Sequence, residues 1–257
     1  MKINARTTVQ VIALLLFSLG VVFGTQKTRI RSGKLVLNLK SDASDLPTKF
    51  QRTAFVIKNR CVRFRILCTI DSKNKDNRNH LSITFSSTRD LEKVKDVLLG
   101  VGFEVRAVES NPFPTALRSF ETRQGALEAS GGNDVVPLID PDREIYVVVS
   151  GSPILTGDDL RNCRVFMEQR STYGIKCDLR PQGATRLQRW TGANIYRYIA
   201  VVVNGRARSV AYITAPISSD MEISGISERA MALEAAHIFE SGNLPVPFDI
   251  VEEEISP

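Results

Sequence analysis

The sequence is poor in the residues that most enzymes use for chemistry. Its 257 residues include two histidines (His80 and His237), one tryptophan (Trp190) and four cysteines. No CxxC pair occurs, and neither histidine stands near a cysteine pair in sequence, so metal binding is not expected. There is no GxSxG, HExxH, Walker A or glycine-rich turn after a strand. Two histidines leave little room for a catalytic triad. Asp158 and Asp159 are adjacent in a turn, where capping or solvation is the ordinary role. Glu252, Glu253 and Glu254 read as a solvated acid run. We therefore expect no catalytic residue, no metal and no cofactor. Nucleic acid is not an expected partner either. The net charge is +6, but the basic residues are scattered, and no zinc-finger spacing, RNP-like aromatic motif or basic helix accompanies them.

Hydrophobic content is 43% and charged content 24%, ordinary for a globular chain of one large or two small domains. Lys2 and Arg6 precede the apolar run Val9–Gly24, a pattern that reads as a signal peptide or a membrane anchor over 1–26. A basic cluster, Lys27 to Lys34, follows it. Export is expected in both cases. Four cysteines suit an exported chain, as buried thiols or as two disulfides.

Beyond residue 26 the chain reads as β-α-β-β-α-β. KLVLNLK (Lys34–Lys40) is a strand. Leu46–Arg60 is a helix, with Phe50, Ala54 and Ile57 on one stripe and Pro47 in its first turn. Val62–Asp71 and His80–Ser86 are strands around a polar turn. A helix follows, with Thr88 as its cap and Gly100 as its stop. Phe103–Ser110 is the last strand. This is the split, ferredoxin-like order, and it covers 27–110. Residues 111–143, rich in Pro, Gly and polar residues, read as a connection with room for a short helix. The segment 144–257 reads as a second α+β unit of antiparallel strands and two helices. It opens on the strand Glu144–Ser150. CRVFMEQ and GIKCDLR flank a loop centred near Arg170. A hairpin symmetric about that residue places Cys163 opposite Cys177, within disulfide reach. Pro181–Tyr198 is a helix carrying Trp190. Asn204-Gly205 between two apolar runs calls for a type I′ hairpin. Ile199, Val201 and Val203 face one way, Ala200 and Val202 the other, so that strand is expected to be central. Ser227 caps a last helix, stopped by Gly242 and Pro245, and a short strand (Phe248, Ile250, Val251) follows.

LTGDDLRNCRV, KCDLRPQGATRL, IAVVVNGRARSVAYITAPI, ISG at Ile223–Gly225 and SGNLPVPFDIVEEE occur in this order. Together they resemble the first large extracytoplasmic domain of the SecD/SecDF protein-export family. The resemblance is most specific from Tyr146 to Glu253. The first unit, including Asn59-Arg60 and RDLEKVKDVLLG, is similar to that family's base subdomain, and 144–257 to its head. Two departures stand out. Where the family carries D-L-R-G-G, this chain reads Leu37-Asn38-Leu39-Lys40-Ser41-Asp42, and the Ala-Pro pair after the hairpin is Val210-Ala211. The family's later membrane helices, which carry the proton-coupled motion, lie outside this sequence. The resemblance implies the binding half: a non-enzymatic domain tethered to the membrane on its extracytoplasmic side or secreted. Its implied partners are translocating unfolded polypeptide and Sec translocon subunits. Tyr212, Met221 and Trp190 are the candidate polypeptide contacts. The alternative is an envelope scaffold that kept the fold and lost the translocation role.

Overall fold

The computed structural model describes residues 30–40, 45–73, 80–111, 115–139, 143–168, 172–217, 220–245 and 247–256. The apolar segment expected over 1–26, the polar turn after Lys73 and the hairpin tip at Arg170 lie outside these residues. No helix among the described residues is long and apolar enough to cross a membrane.

Alternation decides the first sheet. In β1 (Arg31–Leu39), Leu35, Leu37 and Leu39 are buried, and in β3 (His80–Ser87) so are Leu81, Ile83 and Phe85. These two strands pair antiparallel with β2 (Leu67–Lys73) at one edge and β13 (Phe248–Ser256) at the other, in the order β13-β1-β3-β2. Helix α1 (Leu46–Arg63) brings Val56, Ile57 and Cys61 to the buried side, and α2 (Leu91–Leu99) brings Val94, Val97 and Leu98. Asp90, not Thr88, stands at the N-cap of α2, and its carboxylate pairs with Arg31 instead of capping the helix.

The chain is α+β, with five α-helices among the described residues, but its strands are shared out differently from the expected order. β4 (Phe103–Val108), expected to complete the first sheet, joins a second sheet. Its residues serve two cores: Phe103 and Val105 pack into the larger one, and Val108, on the face that also carries the Glu104–Arg106 ion pair, into a smaller one. Its vacated place beside β1 goes to β13, where Phe248 and Ile250 lie opposite Leu39 and Leu37. The glutamates of β13 are ladder residues, and Glu253 and Glu254 remain exposed to solvent. Glu252 pairs with Lys34, and Glu253 with Lys95 at 3.1 Å.

In the second sheet β10 (Tyr198–Val203), β11 (Arg206–Tyr212), β5 (Asp134–Ile139), β6 (Glu144–Val149) and β4 follow one another, and a β10–β4 ladder closes the ring. The two-residue β7 (Leu155–Thr156) adds to β4. Ala200, Val202, Ala207, Val147 and Val149 fill the interior. Closure of this kind removes exposed sheet edges. β10 is central, as its two apolar faces required: Ala200 and Val202 point into the ring while Val203 joins the larger core. Residues 111–143 are more than a connection. They hold α3 (Arg123–Ala129), capped by Thr122, and β5, which pairs with β6 along its length.

The third sheet, β12-β9-β8, comprises β8 (Leu160–Met167), β9 (Tyr173–Leu179) and β12 (Asp220–Ile226). α4 (Pro181–Ala193) contributes Leu187 to the larger core, and α5 (Arg229–Ser241) contributes Ala232, Ala236, Ile238 and Phe239. Glu228 rather than Ser227 occupies the N-cap of α5. β12 is an edge strand whose Met221 and Ile223 pack on the larger core.

Candidate functional site

Four separated sequence motifs meet where the first sheet's helices join the rest of the molecule. Arg60, at the end of α1, is fully buried, and burial pushes its pKa down to about 10, so it stays charged at neutral pH. It takes part in no ion pair among the described residues. Its Nε donates to Ser241 Oγ at 3.0 Å, and its terminal nitrogens donate to the carbonyls of Leu98 at 3.1 Å, Gly100 and Gly242 at 3.0 Å. These carbonyls are the C-terminal ends of α2 and α5, where helix dipoles present negative partial charge. One guanidinium thus caps two helices that are far apart in sequence.

Asn243 follows at the α5 stop. Its Oδ1 accepts the Gly157 N–H at 2.9 Å. A Cβ at Gly157 would stand 2.7 Å from the Phe239 carbonyl and 2.9 Å from Asn243 Oδ1. Gly102 has φ +114°, and a Cβ there would meet Asn243 at 2.7 Å. Asn204 arrives from the β10–β11 turn, where it and Gly205 take φ 49° and 75°. Its Oδ1 accepts the Gly102 N–H at 3.1 Å. The Asn-Arg pair, the T-G-D-D-L turn, the N-G hairpin and the G-N-L-P run therefore share one junction. Thr156 and Asp159 form a reciprocal capping box over the short 3-10 turn Gly157–Asp159, and Arg52 of α1 pairs with Asp158. The contacts of this cluster are hydrogen bonds, an ion pair and close backbone approach. No set of residues suited to a metal ion occurs among the described residues.

Cys163 and Cys177 form a disulfide with Cα atoms 4.1 Å apart, and Cys61 and Cys68 form a second at 6.1 Å. The β8–β9 register that aligns the first pair shifts between Arg161 and Arg164, with Asn162 at φ 51°. His237 lies edge-on to Phe64 at 5.6 Å, and burial and then Arg63 hold its pKa below the ordinary histidine value. It is a packed, neutral histidine.

The three expected contact residues occupy different places. Trp190, on α4, packs partly against the larger core and borders a recess of about 700 Å³. Pro181, Thr185, Arg189 and Ala193 border it too. Met221 packs on the same core but lies in β12, opposite Cys177. Tyr212 ends β11, 46% exposed, with its ring against Tyr198 at 6.4 Å. Neither Met221 nor Tyr212 borders the recess. The junction residues Asn204 and Asn243 carry no periodic signal of their own; in sequence each is marked by an adjacent glycine and by its place in the N-G or G-N-L-P motif.

Residues 133–246 match the family model for the SecDF P1 head subdomain. The protein translocase subunit SecD of Koribacter versatilis is 29% identical over 170 residues, which is 64% of this chain and 31% of that protein. The chain thus spans about a third of that relative's length. Two solved SecDF structures share its fold. One, of SecDF in a super-membrane-facing form, has a TM-score of 0.62 at 21% identity and covers 97% of this chain and 34% of its own. The other, described as a membrane component that enhances protein export, has a TM-score of 0.58 at 23% identity and covers 85% of this chain and 98% of its own. By motif order, matched segment and fold the chain is similar to SecD proteins, and its residues 133–246 match the SecDF P1 head subdomain.

Proposed function

We propose that this chain assists protein export as a SecD-like extracytoplasmic domain that binds translocating unfolded polypeptide or Sec translocon subunits, without catalysis. The match of residues 133–246 to the P1 head is the observation that carries this reading. Its relatives are protein translocase subunits. Two disulfides suit an oxidising, extracytoplasmic compartment. In this reading the segment 1–26 directs the chain to the cell membrane, as an anchor or as a cleaved leader, and 27–257 work outside it. Photo-crosslinkers at Trp190, Tyr212 and Met221 in exporting cells test it: capture of arrested preproteins or Sec subunits is expected, and their absence from every adduct sinks the reading.

One observation favours a second reading. Where the family carries D-L-R-G-G, β1 ends in Leu37-Asn38-Leu39 and passes to Lys40. An envelope scaffold would keep the fold without that motif. Recovery of a single folded partner from envelope extracts, with no Sec component, would favour it.

A further inference from the structure

Between Pro181 and Ser219 the sequence has five arginines (Arg186, Arg189, Arg197, Arg206 and Arg208) and no aspartate or glutamate. That run builds α4 and the ends of β10 and β11. The carboxylates at the N-terminal end of α4 are already engaged: Asp158 by Arg52, Asp159 by Arg186 and by the Thr156 N–H. Arg189 and Arg197 are exposed and make no ion pair among the described residues. Arg189 and Trp190 both border the recess along α4. The Tyr196 N–H donates to the Ile213 carbonyl at 2.7 Å, and the Ile213 N–H donates to the Arg197 carbonyl at 2.9 Å. These bonds hold Tyr196, 52% exposed, and Arg197 beside the end of β11 that carries Tyr212. The Ile217 N–H donates to Thr191 Oγ1 at 2.9 Å, fastening the following segment to α4. The surface thus joins an apolar recess and exposed aromatic rings to uncompensated positive charge.

We propose that the α4 surface selects among unfolded polypeptide segments, favouring those in which apolar or aromatic residues are flanked by carboxylates. This deepens the preceding reading and rests on it. A flat bilayer cannot fill a recess, whereas an apolar side chain can enter it. The flanking carboxylates then meet Arg189 and Arg197, whose planar guanidiniums suit them. Arg186, turned to Asp159 and to the Ile154 carbonyl at 2.7 Å, positions the helix rather than the segment.

Trp190 is the sole tryptophan, so its emission reports occupancy directly. The test titrates the full chain with unstructured peptides that share one Phe-Leu core flanked by Glu, by Gln or by Lys. The Glu peptide should bind roughly fivefold tighter than the Gln peptide, and the Lys peptide weakest, with the preference shrinking in high salt. Arg189→Gln/Arg197→Gln should equalise the three peptides while leaving the thermal transition unchanged. Equal binding of all three to the unaltered chain overturns the charge selection and leaves polypeptide binding standing. Failure to bind any peptide counts against the polypeptide reading itself. Arginine-dependent binding of phosphatidylglycerol vesicles with no peptide preference overturns the proposal in favour of a membrane surface.

Discussion

Arg60 is the largest fully buried side chain among the described residues, and its guanidinium donates to carbonyl oxygens at two helix ends. Lysine carries three donors at one point and cannot reproduce that fork. Arg60→Lys should therefore cost nearly as much as Arg60→Met, about 2–4 kcal/mol in urea unfolding, because each leaves buried carbonyls unpaired. Recovery of full stability by lysine would show that charge alone matters at this position. Gly157 poses a different constraint. A Cβ there meets a backbone oxygen, that of Phe239, as well as the Asn243 side chain. Gly157→Ala should destabilise by about 2 kcal/mol or more, and adding Asn243→Ala should not rescue it, since the carbonyl stays in place. In sequence Arg60 looks like a basic residue ending a helix, the ordinary complement to a dipole. That its partners come from two other helices is set by packing.

Among the elements, the β8–β9 hairpin was legible through its cysteines. Symmetry about Arg170 aligned Cys163 with Cys177, and the pairing of Arg164 with Lys176 keeps that symmetry. Their disulfide spans a sequence separation of 14, so Cys163→Ser/Cys177→Ser should lose about 3 kcal/mol by the chain-entropy estimate. The Cys61–Cys68 pair, separated by 7, should lose slightly less. Chemical denaturation of the two double variants checks the order. Near the tip of this hairpin, the Thr172 hydroxyl, the Gly225 N–H and the Ser224 side chain hold the Glu168 carboxyl below its ordinary value of 4.5. A depressed carboxylate pKa means that the unfolded chain takes up the proton first. The stabilisation from Glu168 is complete above about pH 4.5 and fades as pH falls through the folded-state value. Glu168→Gln should flatten stability against pH in that acid range, and an unchanged profile would deny Glu168 this role. These same contacts explain the I-S-G motif: Gly225, at φ 80°, sits where the β12–β9 register shifts and offers its N–H to Glu168.

At the scale of the whole molecule, the chain laces its sheets together. β4 leaves the first unit to wall the closed ring, and β13 returns from the far end to flank β1. The larger core runs without a break from Leu35 in β1 through Phe103 in β4 to Ile175 in β9 and Phe239 in α5. Unfolding should therefore follow one cooperative transition, with calorimetric and van't Hoff enthalpies in agreement. Two resolved transitions would show that the sheets fold apart. Deleting residues 248–257 should uncover the β1 edge and promote aggregation, measurable by light scattering.

What the sequence determined by itself was local. Alternation set β1 and β3, Asn204-Gly205 set the hairpin, and a glycine set the C-terminal end of α2 and of α5, because these depend on neighbours a few residues away. The strand expected from Val62 begins only at Leu67, since α1 runs on to Arg63. The motif series from Tyr146 to Glu253 also pointed to the SecD-like head before any coordinates. Only the tertiary structure decided which strand lies beside β1. β4 and β13 are both apolar enough for that place, and their sequences do not say which one a second core will claim. Likewise, nothing local shows that Arg60, Asn204, Gly157 and Asn243 share one junction. Hydrogen bonds between positions up to 182 residues apart become definite only once both helices stand against the same core.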